Sequence, residues 1–81
     1  MRQCVGYLEY HGKRLKYYVF GNRNEGFGVE ITETRIEKAD HVVSNSFEKA
    51  LDLAKKLRNG SVFPANLCEI LEDYQFGNGT D

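Results

Sequence analysis

The chain has 81 residues and a formal net charge of −1 at pH 7, which suits one small domain with a single apolar core and disfavours a polyanion-binding protein. Its two cysteines, Cys4 and Cys68, are too few and too far apart for a disulfide framework, so we expect reduced thiols and a cytoplasmic protein. No apolar run has the length of a signal peptide or of a membrane span, and we expect neither. The charge is uneven: residues 1–24 hold five cations and one anion, whereas residues 61–81 hold four anions and no cation.

The first half of the chain predicts β-strands. Residues 4–10 and 14–20 flank His11-Gly12, a two-residue loop with glycine that is typical of a β-hairpin. With this loop as the turn, Gly6 lies opposite Tyr17 and leaves room for the tyrosine ring across the strand.

This register sorts the side chains of the hairpin onto two faces. The predicted core face carries Cys4, Leu8, Leu15, Tyr17 and Val19. The opposite face carries Val5, Tyr7, Glu9, Arg14, Lys16 and Tyr18. On that second face, Glu9 and Arg14 form a favourable cross-strand pair.

Two further strands are predicted. In residues 27–34, apolar side chains alternate with small or polar ones, which indicates a strand with one apolar face. Residues 36–43 predict a fourth strand, but the alternation slips near Lys38-Ala39. A bulge or a frayed edge is expected there.

The second half predicts two helices. Asn45 is the predicted cap of the first helix, with Glu48 three residues later. Its apolar stripe comprises Phe47, Ala50, Leu51, Ala54 and Leu57. Asn59-Gly60 predicts a left-handed stop, and Pro64 suits the first turn of the second helix. The second stripe comprises Phe63, Leu67, Ile70, Leu71 and Tyr74.

These elements predict an α+β fold: an antiparallel meander of three to four strands, followed by a two-helix hairpin packed on one sheet face. Residues 1–76 should form a single domain, and residues 77–81 a flexible tail. The side chains expected in the core of the helical half are Leu51, Leu57, Leu67 and Ile70.

Three segments carry a family resemblance: Tyr17-Tyr18-Val19, residues 27–31, and the last helix with its approach. The third matches a pattern of valine, proline, leucine and an acidic–apolar–apolar–Glu-Asp–aromatic run. It is formed here by Val62, Pro64, Leu67, Glu69, Ile70, Leu71, Glu72, Asp73 and Tyr74. Over roughly residues 15–75 the chain resembles a small uncharacterised bacterial family of unknown function, of low-GC Gram-positive type. It departs from the family pattern at Phe63 and Asn66. The resemblance implies a fold and no activity.

Catalytic and metal-binding patterns are weak. Both cysteines fall beside or on apolar faces and are interpreted as small hydrophobic residues. No cysteine–histidine cluster has the spacing of metal ligands, and Gly26-Phe27-Gly28 lacks the other features of a phosphate-binding loop. An acidic cluster, Glu69, Glu72 and Asp73, is interpreted as a solvated helix face that could meet a partner. We therefore expect a protein that is not an enzyme and has no cofactor or metal site.

Two binding functions remain open. Tyr7, Arg14, Lys16 and Tyr18 interleave aromatic and basic side chains, the combination that single-stranded nucleic acid binds on sheets. The preferred alternative is a protein-interaction or accessory module, whose partner is an unidentified protein or a second copy of the chain in a homodimer. The open edge of the fourth strand and pairing between the acidic helix and the basic hairpin are its expected contacts.

Overall fold

The computed structural model describes the backbone of residues 1–34 and 37–77, with side chains up to Glu72. The chain begins with four strands: β1 (Arg2–Tyr10), β2 (Lys13–Asn22), β3 (Gly26–Glu33) and β4 (Glu37–Ser44). Two helices follow, α1 (Phe47–Asn59) and α2 (Leu67–Gly77), and a short 3-10 helix (Pro64–Asn66) precedes α2. The strands form one antiparallel sheet in the order β1-β2-β3-β4. The predicted α+β meander with helices on one face is confirmed.

The turn of the first hairpin lies at the predicted position. His11 and Gly12 both have positive φ angles, 50° and 79°, as a type I′ turn requires. The predicted register holds from the turn as far as Gly6 opposite Tyr17. Beyond it the register shifts by one residue, because a bulge at Val5 leaves Cys4 opposite Tyr18.

The bulge corrects the predicted faces of β1. Val5 packs against the core instead of facing outward, and Cys4 is exposed instead of buried. The space above Gly6 was predicted to hold the ring of Tyr17. A Cβ atom at Gly6 would lie 2.9 Å from Nε of Arg58, which shows that another side chain lies there. It is the Arg58 side chain from α1, rather than the Tyr17 ring, that occupies this space.

The edge strand β4 is more regular than its sequence suggests. Lys38 and Ala39 pair in register with β3, and Ala39 packs against the core opposite Ile31. The predicted bulge lies instead at Val43, between the paired residues Val42 and Ser44. Ile36, which the sequence places in this strand, lies outside the described residues.

The core is built between the sheet and one side of each helix. Its buried members are Leu15, Tyr17, Val19, Val29, Ile31, Ala50, Leu53, Ala54, Leu57, Leu67 and Leu71. Leu53 was missing from the predicted stripe of α1, and Leu51 is only half-buried. Ile70 was predicted to be buried but is 37% exposed, because Leu67 and Leu71 form a narrow contact strip and Ile70 lies on its flank. Tyr74 has no described side chain.

The ends of α1 differ by one residue from the prediction. Ser46, rather than Asn45, caps the N-terminus by accepting a 3.3 Å hydrogen bond from the N–H of Lys49. At the C-terminus, Gly60 has a φ of −88°, and Ser61 carries the left-handed conformation with a φ of 54°. The N–H groups of Ser61 and Val62 then bond carbonyls of the last helical turn, as in a Schellman motif.

Candidate interaction surface on the open face of the sheet

Both helices pack on one face of the sheet, and no helix of the described chain packs on the other, which we call the open face. The structure places the four predicted binding residues together there. Lys16 lies directly opposite Tyr7, and Arg14 lies opposite Glu9. Tyr18 follows two residues beyond Lys16 on the same side of β2. Tyr7, Arg14 and Lys16 are exposed, and Tyr18 is half-buried.

Arg14 connects a carboxylate and an aromatic ring on this face. Its Nη2 atom donates a 2.7 Å hydrogen bond to Oε1 of Glu9, and its Cζ atom lies 5.2 Å from the centroid of the Tyr7 ring. The hydrogen bond to Glu9 raises the pKa of the Arg14 guanidinium above its usual value. The guanidinium therefore stays charged, but Glu9 neutralises that charge locally.

Arg2 forms a second arrangement of the same kind. Its guanidinium lies 3.7 Å from the centroid of the Tyr18 ring and donates two hydrogen bonds, of 3.0 and 3.1 Å, to the carboxylate of Glu30. Those bonds raise the pKa of the Arg2 guanidinium. Glu30 is only 5% exposed, and within the described residues its ion-pair partner is Arg2.

Sequence reasoning missed both Arg2 and Glu30. Arg2 is 28 positions from Glu30, and only the bulge at Val5 brings it to the side of the sheet on which Tyr18 lies. A register without that bulge places Arg2 on the opposite side. The alternating pattern of β3 does put Glu30 on the open face, but nothing local to it indicates burial.

The open face is close to neutral despite its arginines. Its charged side chains are Arg2, Arg14, Lys16 and Lys38 with Glu9, Glu30 and Asp40. Besides the two arginine pairs, Lys38 lies 3.8 Å from Asp40. Within the described part of the chain, Lys16 alone of these cations has no ion pair. It borders an open groove of about 500 Å³ that also contacts Tyr18 and Thr32.

The acidic cluster lies away from the open face. Glu69 and Glu72 are exposed on α2, which packs on the opposite side of the sheet, and the side chain of Asp73 lies outside the described residues. No group of three or more histidine, cysteine, aspartate or glutamate side chains within the described residues is arranged to hold a metal ion.

Both cysteines are exposed. The prediction that Cys4 lies on the core face is therefore wrong, and Cys68 does not pack as the small hydrophobic residue that its position beside Leu67 suggested. The bulge at Val5 places Cys4 on the open face, opposite Tyr18. The Sγ atom of Cys4 lies 3.5 Å from the carbonyl oxygen of Gly6. Cys68 is one helical position from the buried Leu67, and this rotation of about 100° turns it to solvent.

The described architecture is that of a small α+β domain with a four-stranded meander and an uncovered sheet face. A model of a family of unknown function, DUF6514, matches residues 8–76, and the chain belongs to this family. No curated protein and no solved structure matches the chain. Among the described residues, neither helix is long and apolar enough to cross a membrane.

Proposed function

We propose that the chain is a non-enzymatic protein-interaction domain of the cytoplasm that binds its partner through the open face of the sheet. The observation that carries this proposal is the pair of arginine–tyrosine contacts, Arg14 on Tyr7 and Arg2 on Tyr18. Each guanidinium is fixed in place by a carboxylate, so these rings and planar groups lose little freedom on binding. Tyrosine and arginine are the residue types enriched at protein interfaces.

The charges of this face favour a protein over nucleic acid. A nucleic-acid platform combines aromatic rings with a positive groove, and phosphates need cations that are free to contact them. Here Glu9 and Glu30 already neutralise the two arginines. The partner chemistry that fits is a largely uncharged protein surface with one carboxylate placed to meet Lys16.

The test compares two tyrosines of the same strand. Tyr7 and Tyr10 are similarly exposed, at 55% and 49%, but Tyr7 lies on the open face and Tyr10 packs against Phe63 on the helical side. Tagged wild-type protein, Tyr7→Ala and Tyr10→Ala are used to capture partners from lysate of the native source, with quantification by mass spectrometry. We expect Tyr7→Ala to lose a specific protein that Tyr10→Ala retains. Equal retention by both variants contradicts the proposal.

A charge-reversal pair gives an independent test. Lys16→Glu should weaken capture, because Lys16 is the cation of the open face that has no ion pair among the described residues. Lys56→Glu should not, because Lys56 lies on α1 and pairs with Asp52 at 3.2 Å. A second copy of the chain would appear in the same experiment as self-capture.

Nucleic acid is the alternative outcome. Labelled single-stranded DNA and RNA are titrated against the domain at low and at physiological salt. We expect no micromolar binding at physiological salt. Tight binding that falls steeply with salt and weakens by roughly 1–3 kcal/mol in Tyr18→Ala would identify a stacking platform instead.

A further inference from the structure

The free edge of β1 forms one wall of a groove that adjoins the open face at Tyr7 and Glu9. The groove has a volume of about 730 Å³. Residues 5–9 of β1 line one side, and Lys55, Arg58 and Asn59 of α1 line the other. A strand edge beside a helix is a place where an extended peptide can join a sheet.

The hairpin geometry determines which backbone groups face this groove. In a two-residue type I′ hairpin, the closing pair Tyr10 and Lys13 exchanges hydrogen bonds, and every second pair after it does the same. Tyr7 and Glu9 fall between those pairs, so their N–H and C=O groups point away from β2 and into the groove.

The other side of β2 supports this assignment. Arg14 lies opposite Glu9, and its N–H donates to Oγ1 of Thr34 at 2.7 Å. Its carbonyl oxygen accepts from the N–H of Thr34 at 3.0 Å. Both backbone groups of Arg14 therefore bond Thr34, just after β3, and do not bond the backbone of Glu9 across the hairpin.

The helical wall of the groove is positively charged. Lys55 and Arg58 are three positions apart and lie on the same side of α1. The side chain of Arg58 extends across Gly6, as the 2.9 Å approach of its Nε shows. Neither cation has an ion pair within the described residues, whereas the neighbouring Lys56 is paired with Asp52.

We propose that this groove binds an extended acidic peptide segment, which adds beside β1 as a fifth strand. The backbone of the segment pairs with Tyr7 and Glu9. The segment's residue opposite Leu8 points to the helical side, where its carboxylate meets Lys55 and Arg58. The bulge at Val5 limits the regular edge to residues 6–10, and a short segment therefore fits.

This inference rests on the proposed function in treating the chain as a protein-interaction domain, but it concerns a different surface. Lys16 borders the open face only, and Lys55 borders the groove only. Loss of capture in Lys16→Glu and loss of peptide binding in Lys55→Glu are therefore separate results, and either proposal can fail alone.

The probe is a heptapeptide in which threonine and glutamate alternate, with fluorescein on its N-terminus and an amidated C-terminus. Its matched control has lysine in place of glutamate. Binding is measured by fluorescence anisotropy with wild-type protein, Lys55→Glu and Lys56→Glu, and amide exchange is followed by NMR. We expect the acidic peptide alone to bind and to slow exchange at the amides of Tyr7 and Glu9. Lys55→Glu should weaken binding about tenfold, which is about 1.4 kcal/mol, and Lys56→Glu less than twofold.

Four results would overturn the inference. They are equal binding of the two peptides, equal effects of the two lysine variants, binding without protection of the Tyr7 and Glu9 amides, and no binding at millimolar peptide. Concentration-dependent protection of those amides without peptide would show instead that a second copy of the chain occupies the edge. An oligonucleotide that competes for Lys55 but leaves the amides unprotected would assign the cations to phosphate binding.

Discussion

The hydroxyl of Tyr17 donates a 2.8 Å hydrogen bond to the carbonyl oxygen of Val62. Tyr17 is fully buried in β2, and Val62 belongs to the segment that follows α1. The N–H of Val62 in turn bonds the carbonyl of Leu57 at the end of α1. These two bonds join the middle of the sheet to the end of α1 through Val62.

Removing that hydroxyl should destabilise the domain. We expect Tyr17→Phe to lower the free energy of unfolding by about 1 kcal/mol, the usual net value of one hydrogen bond, with the ring packing retained. Urea denaturation followed by circular dichroism measures the change. Tyr10→Phe is the control, because the Tyr10 hydroxyl has no hydrogen-bond partner among the described residues. A stability of Tyr17→Phe equal to wild type would show that the bond contributes nothing.

Because of Tyr17, we expect the free energy of unfolding to depend on pH in the alkaline range. Burial raises the pKa of the Tyr17 phenol, although the charge of Arg58 opposes the shift. The unfolded chain ionises near the usual tyrosine pKa of about 10. Stability should therefore be fully present below that pH and should fall as the pH rises toward the higher pKa of the folded state. Urea unfolding at about pH 8 and 11 should show a smaller loss for Tyr17→Phe than for wild type. Equal losses would mean that other groups cause the decline.

The first hairpin shows what its sequence could and could not predict. The turn at His11-Gly12 fixes the register from the loop outward, and this part of the prediction is confirmed. The bulge at Val5 could not be predicted, because Cys4 and Val5 are both apolar and either could face the core. The register change that the bulge causes also places Arg2 near Tyr18. The Arg2–Tyr18 contact of the open face was therefore unpredictable for the same reason as the bulge.

The helices show a second limit. Periodicity correctly predicted that α2 buries Leu67 and Leu71, but it could not predict the width of the buried strip. That width depends on how closely α2 approaches β4 and the 3-10 helix, which is a matter of tertiary packing. Ile70 belongs to the apolar stripe and was therefore predicted to be buried, but it lies at the margin of the core.

Two substitutions on α2 test this description of its buried side. Leu67 is 1% exposed and Ile70 is 37% exposed. We expect Leu67→Ala to cost about 2–5 kcal/mol, the usual range for a leucine removed from a core. Ile70→Ala should cost less than about 1 kcal/mol. Thermal melting of the two variants measures the difference, and an equal loss in both would place α2 in a different rotation about its axis.

The cysteines give a further prediction. Because Cys4 and Cys68 are both exposed, a thiol reagent should label both in the native protein without prior unfolding. Replacing each with serine should change the free energy of unfolding by no more than about 0.5 kcal/mol, as for most surface substitutions. Labelling of either thiol only in denaturant would contradict its exposure.

Site-specific photo-crosslinking in cells tests the proposed function most directly. A benzophenone amino acid replaces Thr32, which lies opposite Lys16 on the open face, or Lys56, on the outer side of α1. We expect irradiation to link the position-32 protein to a discrete partner protein that survives nuclease, with no such product from position 56. A nuclease-sensitive adduct at position 32, or a protein adduct from position 56 alone, would contradict a protein-binding role for the open face.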